Sequence, residues 1–422
     1  MIYGRLKHTI RGLLMVGILA ILAPSLAADS SPTPETADTY PINFVAIGDS
    51  GYETPWFSFF GSWYGVRATH WAPGKSGLPV MAPLLKAYCQ ANDCQFGVML
   101  GDNIYPGGVD GVDNREDQKR FDKAFIQPFA PLLENNPAFR IFPALGNHDW
   151  RGKRKGALAQ VEFLRTTPPF DMRGLFYSVK PTGTNGKVEI FVIDTEMILS
   201  TLTVYDHNLN DDGSEARDVS AIDDPIEHTK PVTKAEKNQL VWLEQALNTS
   251  TADWKIVIGH HPLWSSGSTK FEQSHTLRAA ILPTLCKYAD AYFAGHEHTE
   301  EVHTDSCETV MPEGEAKPLL NIVSGAFSKS RPLHAKFKAY QDATYPQLNS
   351  QYVSAKVPGG QDNQYMQTWG FAHISLHSDT ATVRMITHIE DSEATGDSEL
   401  KPDFECVFTK NVGFDKDGCK TP

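Results

Sequence analysis

The apolar runs of this chain end, time after time, in a sharp glycine turn that carries a polar, metal-capable side chain. Five of these turns are Gly48-Asp49-Ser50-Gly51, Gly101-Asp102-Asn103-Ile104-Tyr105, Gly146-Asn147-His148-Asp149, Gly259-His260-His261-Pro262 and Gly295-His296-Glu297-His298. Glycine lets the backbone turn tightly and approach a ligand closely. Open α/β sheets gather their ligands outside the carboxyl ends of the strands. A chain with this pattern is therefore expected to build one site from turns far apart in sequence, and such a site favours a single domain over several.

The donors at these turns are Asp49, Asp102, Tyr105, Asn147, His260, His296 and His298, an oxygen and nitrogen set without thiolate. Such a set suits first-row metals. It exceeds what one tetrahedral ion takes and matches two ions that share a bridging carboxylate. Paired metals about 3.5–4 Å apart clamp a phosphoryl group during in-line displacement. The donor list thus points to phosphoester hydrolysis. Histidines outside the five turns read as surface or satisfied core residues, although His275 and His303 lie close enough to motif segments to reach a pocket rim.

In their order, GDSG, GDNIY, GNHD, GHHP and GHEH resemble the motifs of the calcineurin-like metallophosphoesterase superfamily. Tyr105, three residues after Asp102, resembles the purple acid phosphatase branch, and the short chain before the first motif resembles its small tartrate-resistant type. The resemblance implies a four-layer αββα sandwich of two mixed sheets flanked by helices. It implies Fe(III) on Asp49, Tyr105 and His298, a divalent ion (Fe(II), Zn(II) or Mn(II)) on Asn147, His260 and His296, and Asp102 between them. Hard anionic donors suit the ferric ion, and neutral imidazoles and an amide suit the divalent one. Water held by two such cations loses a proton far below the pKa of bulk water and attacks phosphorus in line. His148 is the expected phosphate-binding or leaving-group acid, with Asp149 orienting its ring. His261 is the reserve acid, at a position where the small tartrate-resistant members usually carry tyrosine.

Arg5, Lys7 and Arg11 precede the apolar run Gly12 to Ala23, and Ser25-Leu26-Ala27-Ala28 follows it. Residues 1–28 read as a signal peptide, residues 29–40 as a disordered lead-in, and 41–422 as one catalytic domain with a C-terminal extension. The apolar run is short for a membrane span. The expectation is a secreted or periplasmic enzyme without a stable span after cleavage. The chain's net charge of −13 drops further with the three basic residues of the leader. That disfavours nucleic acid as the main partner and leaves small phosphate esters as substrates. Oligomeric state is not legible. Of the pairings open to six cysteines, Cys89–Cys94, Cys286–Cys307 and Cys406–Cys419 are the most economical in an exported chain.

Strands are expected at Ile42–Ile47, Phe96–Leu100, Phe139–Ala144, Lys187–Ile193, Lys255–Ile258, Ala289–Ala294, Leu319–Val323, Phe371–Leu376 and Ala381–His388. Helices are expected over Leu78–Gln90, Gln118–Leu133 and, from a Thr233/Glu236 capping box, Thr233–Asn248. Loops are expected in the aromatic stretch Glu53–Lys75, the acidic stretch Tyr205–His228, Trp264–His275 and the polar stretch Gln341–Asn363. Together these features describe an exported binuclear acid phosphatase acting on phosphomonoesters. A phosphodiesterase or nucleotide pyrophosphatase with the same centre is the alternative, and a non-catalytic phosphate-binding protein the remote one.

Overall fold

The structure is a computed structural model that describes residues 40–52, 76–111, 115–204, 206–209, 215–218, 227–266, 271–331, 333, 335–354, 357–358, 365–389, 401–415 and 419–420. The expected signal peptide, nearly all of the lead-in and the aromatic stretch 53–75 lie outside the described residues. Thr39–Pro422 forms one compact unit. Among the described residues no helix is long and apolar enough to cross a membrane.

Two mixed seven-stranded sheets face one another. In the first, Ile42–Ile47, Phe96–Leu100 and Arg140–Ala144 run parallel. Thr368–Leu376, Thr380–Ile389, Phe404–Thr409 and Gly413–Phe414 extend it antiparallel on the far side of Ile42–Ile47. The second has a parallel centre of Val188–Val192, Trp254–Ile258, Ala291–Ala294 and Leu319–Ser324. Antiparallel Tyr177–Val179 closes one edge, and Glu300–Asp305 with Leu348–Ser354 closes the other.

Aromatic side chains fill the space between the sheets. Phe44 stacks on Phe96 of its own sheet at 4.8 Å between ring centroids and on Phe293 of the other sheet at 5.8 Å, each pair adding about 1 kcal/mol beyond simple burial. Ser324 Oγ donates to Ala46 O (2.9 Å) and accepts from Ala372 N (3.1 Å), stitching the sheets near the ends of their central strands. Leu78–Ala91 covers the outer face of the first sheet, with Tyr88 edge-on to Phe371. Phe271–Tyr288 and Gln239–Thr249 cover the outer face of the second through a separate apolar cluster that includes Leu243, Leu277, Ile281 and Leu285. The order helix, sheet, sheet, helix is the expected four-layer α/β sandwich. All three expected disulfides are present.

Several elements differ from expectation. The helix expected over Gln118–Leu133 is a chain of short pieces, Arg115–Phe121, the π turn Asp122–Ile126, Gln127–Phe129 and the 3-10 turn Ala130–Leu133. Pro128 and Pro131 lack the N–H groups a continuous helix needs. The Thr233/Glu236 box caps its helix as expected, but the helix breaks at Asn238 into Lys234–Lys237 and Gln239–Thr249. The polar stretch expected as loop contains the end of helix Ala335–Thr344 and the edge strand Leu348–Ser354. Edge strands tolerate polar residues on both faces. Helix Phe271–Tyr288 begins inside the expected loop Trp264–His275. The acidic stretch holds a two-stranded ribbon, Asp206–Leu209 with Glu215–Asp218.

Candidate metal centre

All five glycine turns leave the carboxyl ends of strands in the two sheets and meet between them. Asp49 N donates to Gly101 O (3.0 Å), Gly51 N to Asp102 O (3.2 Å) and Gly295 N to His260 O (3.0 Å). Three of the site residues, Asp49 (φ 56°), Asp102 (φ 53°) and His296 (φ 69°), have left-handed backbone. Each directly follows the glycine of its turn, and Asp and His are among the side chains that tolerate this region best. Gly101 is itself left-handed at φ 87°, and a Cβ there would lie 2.7 Å from His260 Nδ1.

The seven expected donors converge in two groups. In the first, Tyr105 OH lies 2.8 Å from Asp49 Oδ1, 2.8 Å from Asp102 Oδ2 and 3.2 Å from His298 Nε2. His298 Nε2 is 3.2 Å from Asp49 Oδ1. In the second, His260 Nε2 and His296 Nδ1 are 3.0 Å apart, and each is 3.1 Å from Asn147 Oδ1. Asp102 Oδ1 is 3.3 Å from His260 Nε2. One carboxylate, that of Asp102, therefore gives one oxygen to each group.

These spacings suit cations. Donors at about 2.1 Å from an octahedral ion sit about 3.0 Å from their cis neighbours, which is the separation found here. The tautomers agree. His260 Nδ1 faces Leu100 O at 2.8 Å, so that nitrogen carries the proton. His296 Nε2 faces Gln273 Oε1 at 3.0 Å, so it is protonated in turn. With the His260 ring neutral, its Nε2, His296 Nδ1 and Asn147 Oδ1 aim three lone pairs at one point.

Burial shapes the charges. It raises Asp49 to about 8, against the pull of the His260 imidazole. Burial also opposes charge on Asp102, but His260 and His148 outweigh it and hold that carboxyl well below the usual range. For His260 the balance between burial and the Asp102 carboxylate ends at about 9. Burial first, then Asp102 and Asp49, push the Tyr105 phenol well above its ordinary value. With protons alone the pocket keeps its phenol neutral, and a phenolate there needs a strongly charged cation beside it.

His148 packs its ring on Tyr105 at 4.1 Å between centroids. Its Nδ1 faces Pro106 O at 2.7 Å, and its Nε2 is 3.9 Å from Asp102 Oδ2. Burial lowers it to about 4; Asp102 opposes that shift, while Arg151 and Lys329 add to it. Asp149 does not orient this ring, contrary to expectation. Its carboxylate accepts from Gly146 N (2.8 Å), Asn103 N (3.1 Å), Ile104 N (3.1 Å) and Gln160 Nε2 (3.1 Å). Asp149 is third in the one-turn helix Asn147–Trp150 and folds back to cap its start. Consecutive helical residues point apart, so His148 and Asp149 face different ways, and Asp149 ties together the two turns that carry Asp102 and Asn147.

His261 is likewise not where a leaving-group acid would stand. It is fully buried, with its ring 4.3 Å from that of His296. Thr195 Oγ1 accepts from His260 N (3.3 Å) and His261 N (3.1 Å), so its hydroxyl hydrogen goes to His261 Nδ1 at 2.8 Å. His261 Nε2 lies 3.4 Å from Glu196 Oε2. His261 thus braces the ligand turn from behind. His303 is also buried, paired with Glu301 and Ser350 rather than reaching a rim.

Sequence reasoning passed over Thr195, Gln273 and Lys329. Thr195 had a visible signal, because the apolar run before it ends in Asp194-Thr195-Glu196, a polar turn without a metal motif. Gln273 and Lys329 carry no local pattern. Lys329 Nζ lies 5.5 Å from the Tyr105 ring centroid and 5.1 Å from that of Tyr52.

Residues 42–300 match the family described as Calcineurin-like phosphoesterase. The chain is 27% identical over 282 residues to tartrate-resistant acid phosphatase type 5 of Homo sapiens, covering 66% of this chain and 71% of that protein. It is 24% identical over 354 residues to purple acid phosphatase 4 of Arabidopsis thaliana, covering 82% and 86%. Among solved structures it is similar in fold to PhoD, with a TM-score of 0.51 at 12% identity, covering 90% of this chain and 72% of that one. It is similar also to GAP50, the anchor in the inner membrane complex of Plasmodium, with a TM-score of 0.50 at 16% identity, covering 86% and 89%.

Proposed function

The chain belongs to the calcineurin-like phosphoesterase family, and from that premise we propose that it is an exported binuclear acid phosphatase that hydrolyses phosphomonoesters. The observation that carries this reading is the pair of donor groups joined by the two oxygens of Asp102. Asp49, Tyr105 and His298 would hold a ferric ion; Asn147, His260 and His296 would hold a divalent Fe, Zn or Mn ion. When bound, the ions supply positive charge against the phosphoryl oxygens and acidify a water for attack on phosphorus.

The chain's own residues do the remainder. Asp102, its Oδ1 anchored by His148 N at 2.8 Å, keeps the two groups at a fixed spacing. Leu100 O and Gln273 fix the ring orientations of His260 and His296, as outer hydrogen bonds to ligating histidines generally do. In this reading His148, held by Pro106 O and Tyr105, would meet the phosphate and, once protonated beside the bound anion, hand a proton to the leaving alcohol. The cation pair favours a compact anionic ester, and the relatives' acid phosphatase names support the monoester.

Product release from matched aryl monoester and diester substrates across pH 4–9, with protein of measured metal content, tests the reading. Monoester preference on the acid side with two ions per chain supports it. Diester preference moves the assignment to a phosphodiesterase, and two bound ions without turnover to a phosphate-binding protein.

A further inference from the structure

We infer that Lys329 is a substrate-binding residue that reads the second negative charge of a phosphomonoester and so sets monoester over diester preference. The inference rests on the phosphatase reading above.

The segment Phe327–Arg331 is a strap laid against the turns of the first donor group. Phe327 N donates to Gly48 O (3.3 Å), Ser328 Oγ donates to Asp49 O and accepts from Tyr52 N (3.1 Å), and Arg331 N donates to His298 O (2.9 Å). The strap is thus pinned to the turns of two donors, Asp49 and His298. Ser328 and Ser330 are buried on either side of Lys329, which is half-buried. Its side chain places the ammonium 5.1 Å from the Tyr52 ring centroid and 5.5 Å from that of Tyr105, distances typical of a cation held by aromatic rings. Tyr105 ends in the phenol of the centre, and its ring also touches His148, whose Nδ1 is 3.4 Å from Arg151. A fixed, partly desolvated cation therefore lies beside the first donor group.

A monoester dianion carries one more charge than a diester monoanion at neutral pH, and its second ionisation lies near pH 6. A unit charge a few ångströms from such an ammonium at a partly buried site is worth about 10- to 100-fold in affinity. A diester offers Lys329 one charge fewer, so its gain from the ammonium is the smaller one.

The test compares wild type with Lys329→Met and Lys329→Arg as metal-loaded protein at pH 7, using aryl monoester and diester kinetics and calorimetric binding of inorganic phosphate. Lys329→Met is expected to lower monoester kcat/KM by about 10- to 100-fold more than diester kcat/KM, to weaken phosphate binding by at least about tenfold, and to leave metal content unchanged; Lys329→Arg should restore most of the loss. Equal losses on both esters, or no loss on either, overturn the inference. Absence of turnover in the wild type would instead fault the phosphatase reading, and the phosphate titration would still decide the role of Lys329: weaker binding to Lys329→Met supports it, equal binding overturns it.

Discussion

At the scale of single residues, the centre depends on one carboxylate doing two things. Asp102 Oδ2 belongs to the group around Tyr105, its Oδ1 to the group around His260, and its left-handed backbone puts both oxygens between the sheets. Asp102→Ala should therefore remove both ions together, with turnover falling on the order of 10³-fold or more, since even one lost donor to a transition state costs 10²–10³. Elemental analysis of the variant checks this, and two ions per chain at normal rate would sink the bridging role. Tyr105→Phe is a milder change. The ring keeps its packing on His148 and Tyr52, so the fold should persist while any visible absorption from a ferric phenolate disappears; a surviving band would remove Tyr105 from the ligand set. Residues of this kind were legible in the sequence because each follows a glycine at the end of an apolar run. Roles that depend on side-chain direction were not. Nothing in Asn147-His148-Asp149 shows that the third residue turns back on its own helix start, and nothing beside His260 shows that His261 turns its ring nitrogens to Thr195 and Glu196.

Elements were legible where their burial has one clear pattern. Ile42–Ile47 and Phe96–Leu100 are apolar central strands, and the expected bounds match the observed ones. Glu300–Asp305, in contrast, is a fully buried strand reading Glu-Glu-Val-His-Thr-Asp. Tertiary partners make it possible: Glu301 accepts from Thr299 Oγ1 (2.6 Å), Ser265 Oγ (2.9 Å) and Ser266 N (2.8 Å) and pairs with His303 (2.8 Å). No local rule reveals such a strand, because Ser265 and Ser266, which complete the partners of Glu301, come from a distant segment. The same dependence makes the turn after Val188–Val192 a sensitive element. Asp194 caps helix Thr195–Leu199 through Met197 N (2.9 Å) and receives Trp150 Nε1 (2.9 Å), which joins the helix of Asn147 to the turn of Thr195, whose hydroxyl in turn accepts from His260 N. Thr195→Val removes the hydroxyl that satisfies two backbone N–H groups and His261. It should weaken the divalent ion by about 10- to 100-fold, the usual cost of losing support behind a ligand, and spare the Tyr105 group. Metal titration with Thr195→Ser as the rescue variant measures this; equal loss of both ions would mean a general unfolding instead.

For the molecule as a whole, stacking of the two sheets was beyond strand patterns alone and came only with the family resemblance, since alternation of strands and helices does not say that one sheet stops and another starts. The stacked interior also sets how the protein responds to acid, and two buried groups act in opposite directions. Burial raises Asp194 to about 7, so the folded state holds that proton more tightly than the unfolded chain, and its contribution is lost as pH rises from about 4 through 7. His373 does the reverse. It lies on the outer face of the first sheet with Nδ1 3.1 Å from Tyr88 OH, directly across from Arg384 in the neighbouring strand. Burial, then the charge of Arg384, lower it from 6.5 to about 3. The unfolded chain therefore binds a proton near pH 6.5 that the folded chain refuses until about 3, and stability present above 6.5 drains away as pH falls, at up to ~1.4 kcal/mol per pH unit. On the proposed acid phosphatase reading this loss falls within the working range. His373→Gln keeps a hydrogen-bonding partner for Tyr88 and removes the titration. At pH 7.5 the variant should be less stable by about 1 kcal/mol, the worth of an imperfect buried hydrogen bond. By pH 4 the gap should close and reverse, because the wild type alone has lost on the order of 3 kcal/mol to protonation of its unfolded chain. Urea unfolding of both proteins at the two pH values decides it: a gap that stays constant would show that His373 titrates alike in folded and unfolded chains, and that its burial has no part in acid sensitivity.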